Sequence, residues 1–222
     1  MRFEVASVDS LIIYFGDKIS QDIAKEVRGA FFALKAKSFF LELIPSYTSL
    51  LVKYDFVKYS YDDMVELIQK ELECVNEVEI ESREVKLPVY YGLEVGLDLK
   101  SMAEIKGLSV EEIVSLHVKK EYFVYAIGFA PGFAYMGEVD SKIATPRLAN
   151  PRAKIPKGSV GIADAQTAIY PKESPGGWNI IGRTPIEMFS KDYEDFSYFK
   201  VGDRVKFEPI SKESFIELGG KI

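Results

Sequence analysis

Gly128-Phe129-Ala130-Pro131-Gly132-Phe133-Ala134-Tyr135-Met136-Gly137 opens the stretch that decides the fold, and Ser174-Pro175-Gly176-Gly177-Trp178-Asn179-Ile180-Ile181-Gly182-Arg183-Thr184 closes it. Between them lie Thr145-Pro146-Arg147-Leu148-Ala149-Asn150-Pro151-Arg152 and Ile155-Pro156-Lys157-Gly158-Ser159-Val160. Seven of the ten prolines and eight of the sixteen glycines fall between residues 128 and 185. Proline fixes φ and glycine frees it, so this density marks turns at set points on a rigid frame. Phe129, Phe133, Tyr135, Ile155, Val160, Ile162, Ile169, Trp178, Ile180 and Ile181 alternate with those turns. A disordered linker lacks such apolar anchors.

Around this stretch, 122–127, 160–163, 168–170, 178–181, 186–189 and 204–209 read as short strands divided by turn signals. Many short strands with Gly/Pro turns indicate a barrel or sandwich. Upstream, one short helix starts near Asp98 and ends at Gly107, and a second runs from the capping box Ser109/Glu112 to about His117. The N-terminal part differs. Two short strands over 2–15 precede an amphipathic helix over 20–36, with Ile23, Val27, Ala30, Phe31 and Leu34 at helical spacing. Two apolar runs, 39–44 and 49–54, turn at Pro45 and Ser46. A second helix follows from the N-cap Ser60, with Met64, Leu67, Ile68 and Leu72 on one face, and strand material covers 77–91. The expected architecture is a small α+β domain over 1–80, of ββαββα order, followed by a mainly-β domain over 81–222.

The 222 residues carry a net charge of −6 and are 47% hydrophobic, which suits a packed core and argues against general nucleic-acid binding. No apolar run approaches the ~18 residues of a membrane span, and no signal-peptide pattern opens the chain, so a cytoplasmic protein is expected. The single cysteine, Cys74, excludes an internal disulfide and reads as a small buried apolar residue. One histidine with no Cys/His cluster leaves no expectation of a metal site.

Charge is unevenly placed. Between residues 128 and 185, seven Lys/Arg face four Asp/Glu, so the segment is +3 and the rest of the chain −9. A basic excess among glycines suggests an anion site, for which the planar fork of arginine suits carboxylate or phosphate. Arg147, Arg152 and Arg183 each sit beside a proline or a Thr-Pro turn and are the candidates; solvated rim charges are the alternative. Gly128, Gly132 and Gly137 form no phosphate loop, because no Lys-Ser/Thr follows. They suit a sharp loop in which Phe129, Phe133 and Tyr135 wall a pocket, or pack the core. His117, at a helix C-terminus that favours its protonated form, is either a proton shuttle or a structural hydrogen-bonding residue. Ser159 and Ser174 lack a nucleophile-elbow context.

Gly128-Phe-x-Pro-Gly-Phe-x-Tyr135, Pro146-Arg147, Pro151-Arg152, Pro156-x-Gly-Ser-Val160, Ser174-Pro-Gly-Gly-Trp178 and Ile181-Gly-Arg-Thr-Pro185 together resemble the family of KipI and the 5-oxoprolinase B subunits. That family is also called allophanate hydrolase subunit 1 and is related to part of the carboxyltransferase domain of urea carboxylase. Pro88-Val-x-Tyr-Gly92, Gly96-x-Asp-Leu99 and His117 agree with it, and the first ~80 residues match in pattern more than in letters. The resemblance implies a cyclophilin-like β-barrel behind the α+β domain, without implying isomerase activity. It implies one subunit of an ATP-dependent 5-oxoprolinase that opens 5-oxo-L-proline to L-glutamate together with partner A and C subunits. No cofactor is expected on this chain alone, ATP with Mg being used by the assembly. The alternatives are a KipI-like inhibitor of a sensor histidine kinase and, less favoured, a biotin-linked carboxyl-transfer module. On the enzyme reading His117 and Arg183 are the expected catalytic residues. Phe129, Pro131, Gly132, Tyr135, Arg147, Arg152, Gln166, Trp178 and Thr184 are expected to bind a small carboxylate substrate.

Overall fold

The computed structural model describes residues 1–73, 82–193 and 195–222. They form two compact units, Met1–Ser82 and Arg83–Ile222. Cys74, the expected boundary near residue 81 and the first part of the strand expected over 77–91 lie outside the described residues.

In the first unit, β1 (Arg2–Ser7) and β2 (Ser10–Tyr14) form a hairpin, followed by α1 (Gln21–Lys35), β3 (Phe40–Pro45), β4 (Ser49–Tyr54) and α2 (Tyr61–Glu73). The four strands make an antiparallel sheet in the order β1-β2-β4-β3. Helix α1 starts where it does because extended Ser20 accepts a hydrogen bond from the Ile23 amide. At the start of α2, the Asp63 amide donates to Ser60 Oγ and the Ser60 amide to the Asp63 carboxylate, closing a capping box with Asp in the usual Glu position. Val27, Ala30 and Leu34 of α1 and Met64 and Ile68 of α2 pack with Leu11, Ile13, Leu50, Val52 and Tyr54 of the sheet. That burial removes the apolar stripe of each helix from water, the dominant favourable term in folding. The ββαββα order is the one the sequence periodicity indicates.

The second unit begins with β5 (Glu84–Val89), α3 (Leu99–Lys106) and α4 (Val110–Lys119). Gly107, in the left-handed region at φ 64°, ends α3, and the Ser109/Glu112 capping box opens α4. Strands β6 (Glu121–Ile127), β7 (Ala134–Gly137), β8 (Arg152–Ile155), β9 (Ser159–Ala163), β10 (Gln166–Ile169), β11 (Ser174–Gly176), β12 (Asn179–Arg183) and β13 (Arg204–Pro209) follow, then α5 (Lys212–Glu217). Seven strands form a curled half-barrel sheet in the order β12-β9-β10-β7-β6-β13-β5, and β8 and β11 form a separate pair. The curl is strong enough that the sheet's two outer strands meet. Tyr90, the residue after β5, forms an antiparallel bridge with Arg183, the last of β12, through two amide–carbonyl bonds of 2.8 Å. One core, including Leu87, Val124, Met136, Val160, Ile162, Ile181 and Phe207, fills one side of this sheet. A smaller cluster of Phe133, Ile155, Ala163, Ala168, Tyr170, Trp178 and Ile180 fills another.

Two expectations need correction. The run 186–189 is not a strand: only Phe189 pairs, with Ser197, and the Ile186 amide bonds back to Thr184 Oγ1. Strands β7, β8 and β11 and the short helix α5 escape the sequence pattern, because pairing rather than propensity makes a strand of Ala-Tyr-Met-Gly or Ser-Pro-Gly.

Gly158 has φ of 81°, and a Cβ there would lie 2.4 Å from the Thr184 carbonyl oxygen. Gly158→Ala is expected to destabilise the protein by about 1–3 kcal/mol, seen as a lower urea midpoint at constant slope. An unchanged midpoint contradicts the close approach.

Candidate functional site

Phe129 stands at the tip of the Gly128–Phe133 loop, whose Gly128 amide donates to the Phe133 carbonyl. It is 68% exposed and has φ of 69°, an uncommon conformation for a bulky residue. Exposed Pro131 and buried Gly132 complete the turn, and a Cβ on Gly132 would strike the Met188 carbonyl at 2.5 Å. The ring of Phe129 meets Phe133 edge-on at 5.3 Å. Phe133 in turn meets Tyr135, Tyr170 and Trp178 at 4.8, 5.4 and 5.7 Å. Over Trp178, at 5.8 Å, lies the exposed guanidinium of Arg147. Burial raises the Tyr170 hydroxyl to about 12, with the Trp178 backbone amide and the Arg147 charge acting the other way. Burial raises Tyr135 as well, again opposed by Arg147. Among the described residues no carboxylate forms an ion pair with Arg147. Trp178, Tyr170 and Phe133 are themselves buried in the smaller core cluster, so it is the exposed guanidinium of Arg147 at its edge, with no ion pair among the described residues, that is suited to meet a small planar carboxylate.

The other two candidate arginines are engaged. Arg152, at the start of β8, donates twice to Asp98, 2.9 Å from Nη1 to Oδ2 and 2.6 Å from Nη2 to Oδ1. Asp98 occupies the N-cap of α3 but makes no capping bond with its side chain. Its carboxylate accepts instead from the Ile180 amide at 2.6 Å, and its own amide donates to the Ile180 carbonyl at 2.8 Å. Gly96 lets α3 come this close to β12, since a Cβ there would lie 2.7 Å from the Ile181 oxygen. Arg183 is only 8% exposed and donates from Nη1 to the Lys221 carbonyl at 2.7 Å. Buried Thr184 accepts the Ile186 amide, and Gln166 opens β10 opposite Gly137 and Ala163.

His117 lies in the main core, fully buried, and contacts the rings of Tyr91, Tyr122 and Phe207, the last at 4.5 Å. One proton assignment satisfies all its neighbours. Thr167 donates to the Gly161 carbonyl at 3.1 Å and has no second proton. His117 Nε2–H therefore donates to Thr167 Oγ1 at 3.0 Å, and Nδ1 accepts from the Tyr91 hydroxyl at 2.9 Å. The imidazole is neutral, because burial lowers its pKa to about 3. This reverses the expectation of a protonated ring at a helix C-terminus: desolvation outweighs the helix dipole.

The fold thus joins Phe129, Pro131, Gly132, Tyr135, Trp178 and Arg147 in one aromatic face. It ties Arg152 to Asp98, Arg183 to the segment after α5, and His117 to Tyr91 and Thr167. Sequence reasoning missed Tyr170 in the aromatic cluster and Asp98 as the partner of Arg152. For Asp98 the available signal was a carboxylate in Gly96-x-Asp-Leu99, in a chain whose distant arginines needed partners. Among the described residues no group of three or more His, Cys, Asp or Glu could hold a metal ion.

The curled sheet with this architecture defines a carboxyltransferase-type domain, and the family described as "Carboxyltransferase domain, subdomain C and D" matches residues 1–199. The chain belongs to that family, within the group formed by KipI and the 5-oxoprolinase B subunits. It is 36% identical over 230 residues to the 5-oxoprolinase B subunit of Bacillus subtilis (strain 168), covering 97% of this chain and 96% of the relative. Among solved structures it is similar to TTHA0988, with a TM-score of 0.81 at 32% identity over 91% of this chain. It spans only 40% of the TTHA0988 chain. Kluyveromyces lactis urea carboxylase, at 15% identity, shares the fold, with a TM-score of 0.76 over 97% of this chain and 22% of that one.

Asp98→Ala leaves Arg152 and the Ile180 amide without their acceptor, an expected loss of about 3–5 kcal/mol. Adding Arg152→Ala should then cost little more; fully additive losses in a double-mutant cycle would contradict the pairing. For His117 the folded pKa lies below the unfolded value of about 6.5, so the unfolded state binds more protons between those values. Stability is therefore full above pH 7 and falls as pH drops, approaching about 1.4 kcal/mol per unit well below pH 6.5. Between pH 7 and pH 5, His117→Gln should be less stable at the start but flatter. Equal slopes would show that the ring is not held neutral.

Proposed function

We propose that this chain is the B subunit of an ATP-dependent 5-oxoprolinase, acting in the cytoplasm with partner A and C subunits. The observation that carries this reading is Arg147: a guanidinium without an ion-pair partner among the described residues, held over Trp178 beside Tyr135 and Tyr170. The substrate, 5-oxo-L-proline, is a flat five-membered lactam bearing one carboxylate. Arg147 takes the carboxylate in a bidentate contact, and the ring lies against half-buried Tyr135 and exposed Phe129. The names of the relatives support the same assignment.

A lactam is a poor electrophile. Transfer of the terminal phosphoryl group of ATP to the lactam oxygen turns that oxygen into part of a leaving group. Water then attacks the ring carbon and the C–N bond opens to leave an acyl phosphate, which a second water hydrolyses to phosphate and L-glutamate. No phosphate-loop motif occurs in this sequence, so Mg-ATP is held by a partner subunit or at a shared interface. Exposed Phe129 and Pro131, at the rim of the aromatic face, are placed to meet such a partner. This reading also entails the cyclophilin-like form of the half-barrel and the division into 1–80 and 81–222. In it, Arg152 and His117 act as positioning residues, through Asp98 and Thr167.

The test is ATP-dependent glutamate release from 5-oxoproline by the chain assembled with candidate A and C subunits. Arg147→Ala is expected to lower kcat/KM by about 10- to 100-fold, mainly through KM, with assembly unchanged in size-exclusion chromatography. Unaltered kinetics remove Arg147 from the substrate site. No release from a stable wild-type complex removes the 5-oxoprolinase reading itself.

A further inference from the structure

Arg183 has a charge that no side chain among the described residues matches. Its side chain is more than nine-tenths buried, Nε lacks any hydrogen-bond partner, and no carboxylate among the described residues pairs with it. Burial is accordingly the one influence on its proton affinity, which it lowers. Arginine does not escape this cost by deprotonating. Directly opposite in register, on the neighbouring strand β9, stands Ser159, fully buried, with its Oγ also lacking a partner. Directly opposed residues of antiparallel strands put their side chains on the same face, with Cβ atoms about 4.5–5.5 Å apart. Two donors, one of them charged, are thus left open on directly opposed residues, where buried polar groups of folded proteins are as a rule satisfied.

Arg183 Nη1 bonds to the carbonyl of Lys221, in the segment after α5, where Leu218 and Ile222 are 53% and 54% exposed. Tyr90, bridged to Arg183, packs on Phe215 of α5 at 5.6 Å. The acids nearest Tyr90 are Glu94, which pairs with Lys212 at 2.8 Å, and Glu213. A water between Arg183 and Ser159 would complete the hydrogen bonds and leave the charge unmatched; an oxyanion completes both.

We infer that Arg183 and Ser159, at the β9–β12 edge, form a binding site for a small oxyanion, a carboxylate or phosphate group, entering beneath the segment that follows α5. The site is separate from the Arg147 face and stands whether or not 5-oxoproline is the substrate.

Inorganic phosphate is the probe, added to the full chain against potassium chloride at matched ionic strength, with thermal unfolding and calorimetric titration as readouts. Phosphate well above its Kd should raise Tm by about 2–4 °C over chloride. Ser159→Ala should weaken phosphate about tenfold without lowering the phosphate-free Tm, since it removes an unpaired buried hydroxyl. Arg183→Gln should abolish the effect and Arg147→Ala should keep it. The inference is overturned by the absence of a phosphate-specific shift, by a shift undiminished in Ser159→Ala, or by one lost in Arg147→Ala. Should Arg183→Gln not fold, Ser159→Ala alone decides.

Discussion

The meeting of the two outer strands of the seven-stranded sheet is the constraint on which the second unit depends. An open sheet edge presents unpaired amides and carbonyls; here Tyr90 and Arg183 exchange both of theirs at 2.8 Å. The approach is possible because Gly182 precedes Arg183: a Cβ there would come within 2.8 Å of the Tyr90 oxygen. Asp98 secures the same edge from the other side, binding both backbone groups of Ile180 and drawing in Arg152. Gly132, Gly158 and Gly182 thus serve close backbone contact rather than a phosphate loop.

Closure also apportions the polar side chains. Three arginines of similar local context acquire three environments. Arg152 is matched by a buried carboxylate, Arg183 is buried with no carboxylate partner among the described residues, and Arg147 lies exposed over the edge of the buried Trp178 cluster. Coulomb attraction at low effective dielectric makes such partners decisive. The same logic keeps His117 neutral: a hydrogen-bonded chain from Tyr91 through the imidazole to Thr167 and Gly161 satisfies every proton without a charge.

Legibility followed the range of the interactions involved. Helices α1 and α4 declared themselves because their caps and apolar stripes lie within a few residues. Strands β4 and β13 did so as short runs bounded by turn signals. Strands β7, β8 and β11 did not, being three or four residues long and strand-like only by virtue of their partners. Of the aromatic face, Phe129, Tyr135, Trp178 and Arg147 were visible as motif letters. Tyr170 was not, since it reaches Phe133 across the cluster from outside any motif.

By itself the sequence determined the ββαββα order of the first unit, the starts of α1 to α4, the turn-rich character of residues 128–185 and the family. Each of these rests on local backbone preference or on an ordered set of short motifs. Only the tertiary structure decided which arginine stays free, that His117 is buried and neutral, and that Ser159 faces Arg183. Those outcomes depend on which distant groups meet: Asp98 lies 54 positions from Arg152, and Tyr91 lies 26 from His117. Local propensity carries no information about charges and hydrogen bonds that form only when strands far apart in the chain come together.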